Sequence, residues 1–149
     1  MKIKTIKKSI TINAPRERVW DVLLKDEYTR QWYSEFKEGS HAETDWQEGS
    51  AVRFLDAEGC GMMGRIVRNK PAELLDIQFE GFVMYGKEDR ESEGAAATNG
   101  THERYELSAE GNATRLDVTS DMGEDWYENM NETWDRALER FKALAEQKN

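Results

Sequence analysis

Polar side chains inside otherwise apolar strand patterns are the first candidates for chemistry, because a few polar groups in an apolar pocket can transfer protons. Strand alternation predicts that Arg53 and Asp117 point outward, whereas Tyr105 has the same parity as Leu107 and is expected to point inward. Tyr105 is therefore the favoured polar anchor of any pocket, with His102 as the second choice. The full set of candidates comprises Arg53, Arg65, Tyr85, His102, Tyr105 and Asp117.

Other kinds of active site are not expected. Neither His41 nor His102 has a serine or cysteine context that would indicate a hydrolase, and the two are too far apart to indicate a metal site. Residues 59–64 match GxGxxG by spacing alone and lead into a predicted strand, so they do not indicate a nucleotide site. Cys60 is the single cysteine and can form no intrachain disulfide. We expect no catalytic residues, no metal and no cofactor.

The first elements that must position a pocket are a strand and a helix. Lys2–Ile12 alternates apolar and polar residues, which predicts a half-buried strand. Pro15 then suits the first turn of a helix, where its missing N–H costs nothing. Val19, Val22 and Leu23 give this helix a wide apolar face, and a second short helix is predicted around residues 28–34.

Residues 41–122 have the pattern of an antiparallel meander. Glycine-containing and proline-containing turns separate six predicted strands, each with one buried face and one solvated face. Residues 87–100 lack periodicity, and we expect a mobile hairpin loop there, or alternatively a lid over a pocket. The predicted strands are 41–47, 51–56, 61–69, 73–82, 101–109 and 113–122.

The last predicted element is a long amphipathic helix that starts near residues 124–125. Its apolar stripe would form one wall of a cavity and the inward face of the sheet the other, although simple core packing without a cavity is the alternative. The helix would contribute Trp126, Met130, Trp134 and Leu138. The sheet would contribute Phe54, Met63, Ile77, Phe79, Tyr105, Leu116 and Val118.

Composition limits the partners. The net charge of −9 disfavours nucleic acid and anionic membranes, because like charges repel. The length of the chain, 149 residues, suits one domain, 1–149. Hydrophobic residues make up 38% of the chain and charged residues 34%. No apolar run approaches the roughly 20 residues of a membrane span. We expect a cytoplasmic monomer without membrane insertion.

Several short motifs, in this order, resemble the START-like (SRPBCC) superfamily, and most of all single-domain proteins related to the C-terminal domain of the activator of heat-shock-protein-90 ATPase. The resemblance covers nearly the whole chain. It depends on residues 10–15, Val19-Trp20, Trp32-Tyr33, 46–50, Val52 with Phe54, 64–66, Pro71, 75–79, 114–116, Gly123 with Trp126, and the last helix.

The resemblance implies an α+β helix-grip fold, with a curved antiparallel sheet of six to seven strands around the long C-terminal helix and two short helices near the N-terminus. It also implies binding of a small lipophilic molecule, similar to a lipid, sterol or polyketide. A cyclase- or dehydratase-type enzyme using the same pocket is the first alternative, although we expect no enzyme. A co-chaperone-like interaction module is the second, but the family's co-chaperone has a separate N-terminal domain for which this chain has no room, so a chaperone partner is not expected.

Overall fold

Eight strands and four α-helices make up the part of the chain that the computed structural model describes, residues 2–147. The strands are β1 (Ile3–Ile12), β2 (His41–Glu43), β3 (Ala51–Leu55), β4 (Gly61–Lys70), β5 (Leu74–Met84), β6 (Lys87–Asp89), β7 (His102–Glu110) and β8 (Ala113–Gly123). The helices are α1 (Arg16–Leu24), α2 (Asp26–Trp32), α3 (Glu93–Thr98) and α4 (Tyr127–Glu146), with short 3₁₀ turns at Tyr33–Glu35 and Glu124–Trp126.

The strands form one antiparallel sheet in the order β1-β8-β7-β5-β4-β3-β2. Strand β5 pairs with β7 only through Leu74–Gln78, and its far end pairs with the short strand β6. Register shifts interrupt the pairing of β4 with β5, and such bulges bend a sheet. Gly64 stands at one of them, where an added Cβ would come within 2.3 Å of the Gln78 carbonyl oxygen. The sheet therefore curves where the backbones of β4 and β5 approach closely.

Helix α4 packs across the inner face of this sheet, as its apolar stripe predicts. Trp134, Ala137, Leu138 and Phe141 are buried in the main hydrophobic core together with side chains from β1, β5, β7 and β8. On its other side α4 contacts α1 and α2. Arg18 joins these helices, since its guanidinium donates hydrogen bonds to the carbonyl oxygens of the last turn of α4, at 2.8 Å for Leu144. The α+β helix-grip fold is confirmed.

The segment predicted as a loop, 87–100, contains strand β6 and helix α3. Ser92 caps α3, because its Oγ accepts a hydrogen bond from the Ala95 N–H at 3.3 Å. Ala95 is fully buried, and α3 packs against β5 and β8. The prediction of a mobile loop was wrong in its secondary structure, because a six-residue helix built from Gly and Ala leaves no apolar period to detect.

Strand β2 is shorter than the predicted 41–47 and ends at Glu43. Beyond it the chain turns, and Trp46 adopts a positive φ of 62° that a strand could not accommodate. Side chains hold this turn: the Trp46 N–H donates to Thr44 Oγ1 at 3.2 Å and the Gln47 N–H to Asp45 Oδ1 at 2.9 Å. The remaining predicted strands are present within two residues of their predicted ends.

The two faces of the sheet carry separate hydrophobic clusters. Directly paired residues share a face, so Met62 lies with Phe54 on the face that α4 covers. Met63 alternates to the opposite face, where it forms a small second cluster with Leu55 and Val83. We call the face toward α4 the inner face and the opposite one the outer face.

Candidate functional site

An aromatic wall lines one part of the inner face, and we define it as Tyr33, Trp46, Phe54 and Phe79. The Phe54 ring is the centre of this wall, with ring centroids 6.0 Å from Tyr33, 6.3 Å from Trp46 and 6.1 Å from Phe79. Phe79 is buried, whereas Phe54 and Trp46 are only partly buried. The wall therefore presents apolar surface that the protein does not fully cover.

Three further residues of the same core have partly buried apolar side chains, and one of them, Met62, pairs directly with Phe54 of the wall. Met62 follows from β4, Met130 from α4 and Phe36 from the turn after α2, and all three pack against the main core while keeping some exposure. Phe36 also meets the buried Trp134, at 4.9 Å between ring centroids. Methionine adapts to irregular shapes, so these side chains suit a surface that accepts ligands of varied outline.

A polar group lies on the same face of the sheet. Glu103 is two residues from Tyr105 on β7, so both side chains point toward the core, and Glu103 pairs with Ile77 of β5 and Ser120 of β8. The Tyr105 hydroxyl donates to Glu103 Oε2 at 2.5 Å and the Ser120 hydroxyl donates to Oε1 at 3.4 Å. We call Glu103, Tyr105 and Ser120 the Glu103 cluster.

Burial changes the acid–base properties of these groups. Loss of solvation raises the pKa of the Glu103 carboxyl above its ordinary value, although the hydrogen bonds from Tyr105 and Ser120 act in the opposite direction. Burial, followed by the nearby charge of Glu103, raises the pKa of Tyr105 and that of Tyr33 well above 10. Both tyrosines are therefore neutral, and Tyr33 is the member of the aromatic wall whose pKa responds to the charge of Glu103.

Most residues predicted to line a cavity come together in the main core. Tyr105 and Trp134 are in contact, with ring centroids 6.2 Å apart, and both also approach Trp32. Phe54 and Met130 are partly exposed at the edge of this core. The fully buried members of the predicted set are Ile77, Phe79, Tyr105, Leu116, Val118, Trp134 and Leu138.

Two predicted lining residues lie elsewhere. Met63 belongs to the outer-face cluster. Its neighbour Met62, and not Met63, pairs directly with Phe54, so Met62 occupies the inner-face position that was expected for Met63. Trp126 is 58% exposed, because the chain forms a 3₁₀ turn there before α4 begins and the indole does not continue the helical stripe.

The polar candidates divide between the two faces. Tyr105 is buried at the inner face, as its parity predicts. His102 alternates to the outer face and its Nδ1 lies 2.8 Å from Asp76 Oδ1, so the second-choice anchor is engaged away from the wall. The remaining candidates also lie outside it: Asp117 pairs with Arg115, Arg53 with Glu88 and Arg65 with Glu80, while Tyr85 is 71% exposed in a turn.

Sequence reasoning did not select Glu103, Ser120 or Tyr33 as site residues. The signal was present for Glu103, since it has the parity of Tyr105, but the alternating charges of His102–Glu106 conceal a carboxylate that points inward. Ser120 has the parity of Leu116 and Val118 on β8 and could have been found in the same way.

Two of the depressions on the described surface are lined mostly by charged residues, and neither contains a residue of the aromatic wall. One is lined by Glu35 and four charged residues of α4, and the other lies near Lys70, Glu73 and Glu106. Within residues 2–147, no group of three His, Cys, Asp or Glu side chains is placed to hold a metal ion. No helix in the same range is long and apolar enough to cross a membrane.

Comparison with known proteins agrees with this architecture. The model of the family described as activator of Hsp90 ATPase homolog 1-like proteins matches residues 13–146. No curated protein matches the sequence.

Solved structures share the fold at low sequence identity. The Aha1 dimer from Colwellia psychrerythraea has a TM-score of 0.71 at 19% identity, with 98% of this chain and 99% of that chain covered. A crystal structure of a Mesorhizobium loti protein has a TM-score of 0.74 at 13% identity, covering 98% and 99%. DynU16, a protein of the dynemicin biosynthetic locus, has a TM-score of 0.70 at 16% identity, covering 96% of this chain and 47% of that chain.

Proposed function

The chain belongs to the family of activator of Hsp90 ATPase homolog 1-like proteins, and we propose that it binds a small hydrophobic molecule between α4 and the inner face of the sheet. One observation carries the proposal. The aromatic wall belongs to the core that α4 covers, yet Phe54 and Met62 of the sheet and Met130 of α4 remain partly exposed. Apolar surface that the protein leaves uncovered is typical of an interaction site.

The ligand would have the character of a lipid, sterol or polyketide. The likeness to DynU16 supports this class, since that protein comes from a biosynthetic locus. The Glu103 cluster supplies the polar end of the site. Its phenol belongs to Tyr105, which points inward, whereas His102 is engaged with Asp76 on the outer face. Burial of about 300 Å² of apolar ligand surface contributes about 25 cal/mol for each Å². The cost of association offsets most of this free energy, so hydrophobic burial alone gives modest affinity. The polar end is therefore expected to decide selectivity.

Native mass spectrometry of freshly purified protein tests this proposal. We expect an adduct of a small lipophilic molecule on the wild-type chain and on Met84→Lys, because Met84 is exposed at the end of β5, away from the wall. Met62→Lys places a charge beside Phe54, with which Met62 is directly paired, and should remove the adduct. An adduct that survives Met62→Lys unchanged, or no adduct on any variant, would contradict binding at this position.

The Glu103–Tyr105 contact favours a second candidate, a cyclase- or dehydratase-type enzyme. A carboxyl with a raised pKa that is hydrogen-bonded to a phenol can act as a general acid in an apolar site. Incubation of the purified protein with its adduct should then release a product, lighter by one water for a dehydration or of equal mass and altered chromatographic retention for a cyclisation. Glu103→Gln should abolish the conversion while the adduct still forms. An adduct that changes in neither mass nor retention leaves binding without catalysis.

A further inference from the structure

Glu103 is half-buried and, unlike the two buried acids Asp76 and Asp56, has no cation beside it among the described residues. Asp76 is 3% exposed and is neutralised by Arg104, whose Nη2 lies 2.8 Å from Asp76 Oδ2. Asp56 is 6% exposed and meets Lys37 Nζ at 2.7 Å, which lowers the pKa of Asp56 to about 2. Within residues 2–147, no lysine, arginine or histidine nitrogen lies within 4.0 Å of the Glu103 carboxylate.

The hydrogen bonds of Glu103 leave part of its capacity unused. A carboxylate has about four lone-pair sites. Tyr105 fills one on Oε2 and Ser120 one on Oε1, both from neutral hydroxyls. A buried charge without a counter-ion is costly, so this arrangement calls either for a proton on Glu103 or for a cation that arrives with a ligand.

The carboxylate is also reachable. The side chain keeps intermediate exposure, unlike Ile77, Tyr105 and Ser120 around it. The charge of Glu103 contributes to the raised pKa of Tyr33, and Tyr33 belongs to the aromatic wall. A molecule lying on that wall would therefore share the inner face of the sheet with Glu103.

We propose that the hydrophobic molecule bound by this protein carries a protonated amine, which forms a charge-assisted hydrogen bond with Glu103 while its apolar body lies on the aromatic wall. The inference depends on the proposed function, because it assigns the polar end of the same site. Charge-assisted hydrogen bonds are about twice as strong as neutral ones, so the ammonium group should dominate ligand choice.

Two probes of equal chain length, decylammonium and 1-decanol, separate the ammonium contact from hydrophobic burial. Isothermal titration calorimetry should give a dissociation constant for decylammonium at least about tenfold lower than that for 1-decanol. Glu103→Gln should remove this preference and leave the affinity for 1-decanol within about twofold.

A control variant accounts for the acidity of the whole protein, whose net charge is −9. Glu106→Gln changes the charge equally on the same strand, but Glu106 is exposed and lies on the outer face, so the preference for decylammonium should persist in it. If Glu103→Gln does not fold, the wild-type protein still decides: the ¹³C shift of the Glu103 carboxyl should move with decylammonium and not with 1-decanol.

The outcomes separate the two proposals. Equal affinities for both probes, or a preference that survives Glu103→Gln, would overturn the amine assignment and leave hydrophobic binding intact. Binding of neither probe would overturn the proposed function and the amine assignment with it.

Discussion

The most informative residue is a glutamate that faces the inner side of the sheet. Glu103 accepts hydrogen bonds from Tyr105 and Ser120 but has no cationic neighbour within 4.0 Å among residues 2–147, whereas Asp76 and Asp56 each have one. Stability does not require an uncompensated carboxylate, since burial disfavours its charged form. Its presence at the edge of the aromatic wall therefore points to a role in recognition.

Glu103→Gln should change how stability depends on pH. Because the folded-state pKa of Glu103 is raised above its ordinary 4.5, the folded protein holds this proton more tightly than the unfolded chain, and stability falls as the pH rises through that window. Glu103→Gln has no titrating carboxyl at this position, so its stability does not fall in this way as the pH rises. Urea unfolding should show the variant gaining stability relative to wild type between pH 4 and pH 7. A difference that stays constant over this range would contradict the raised pKa.

Two tryptophans, one just before α4 and one within it, should differ sharply in their contribution to stability. Trp134 is 2% exposed and packs against Phe36, so Trp134→Ala should cost about 3–5 kcal/mol. Trp126 is 58% exposed, and Trp126→Ala should stay within about 0.5 kcal/mol. Denaturant unfolding measures both. Similar costs for the two variants would mean that α4 is not seated as described.

At the level of residues, strand parity predicted more of the site than composition did. It correctly predicted an inward Tyr105 and an outward Asp117, since both lie in regular strands. It failed for Met63, because a one-residue error in register moves a side chain to the other face. Glu103 was missed because its charge suggests solvent exposure.

At the level of elements, helix α3 is the least predictable part of the fold. Gly94 and three alanines give no hydrophobic period, and the helix is recognisable only by Ser92 as its N-cap and by the burial of Ala95. The strands and α4 were predictable because each has one apolar face. Helix α3 covers part of strands β5 and β8.

Ser92→Ala should loosen this cover without unfolding the domain. The substitution removes the cap of α3, at a cost of about 1 kcal/mol, which corresponds to roughly fivefold faster local opening. Hydrogen exchange of the Ala96 and Asn99 amides, both bonded within α3, should accelerate by that factor. Ser108→Ala on exposed β7 is the control and should leave them unchanged. Unchanged exchange in Ser92→Ala would show that the cap does not hold α3.

At the level of the whole molecule, both edges of the sheet have features that discourage pairing with another sheet. Edge strand β1 carries Lys4, Lys7 and Lys8. The opposite edge strand, β2, has only three residues. We therefore propose a monomer, although the Colwellia protein that shares this fold was solved as a dimer. Light scattering should give 17.3 kDa, and twice that mass would contradict the proposal.

The central claim is that an apolar molecule binds at the inner face between α4 and the aromatic wall, and methionine-methyl NMR tests it most directly. Met62 pairs with Phe54 of the wall and Met130 is a partly buried residue of α4, whereas Met84 is 47% exposed at the end of β5. Titration with 1-decanol should shift the methyl signals of Met62 and Met130 in a saturable manner and leave that of Met84 in place. Signals of Met62 and Met130 that do not move, or a shift confined to Met84, would contradict the account.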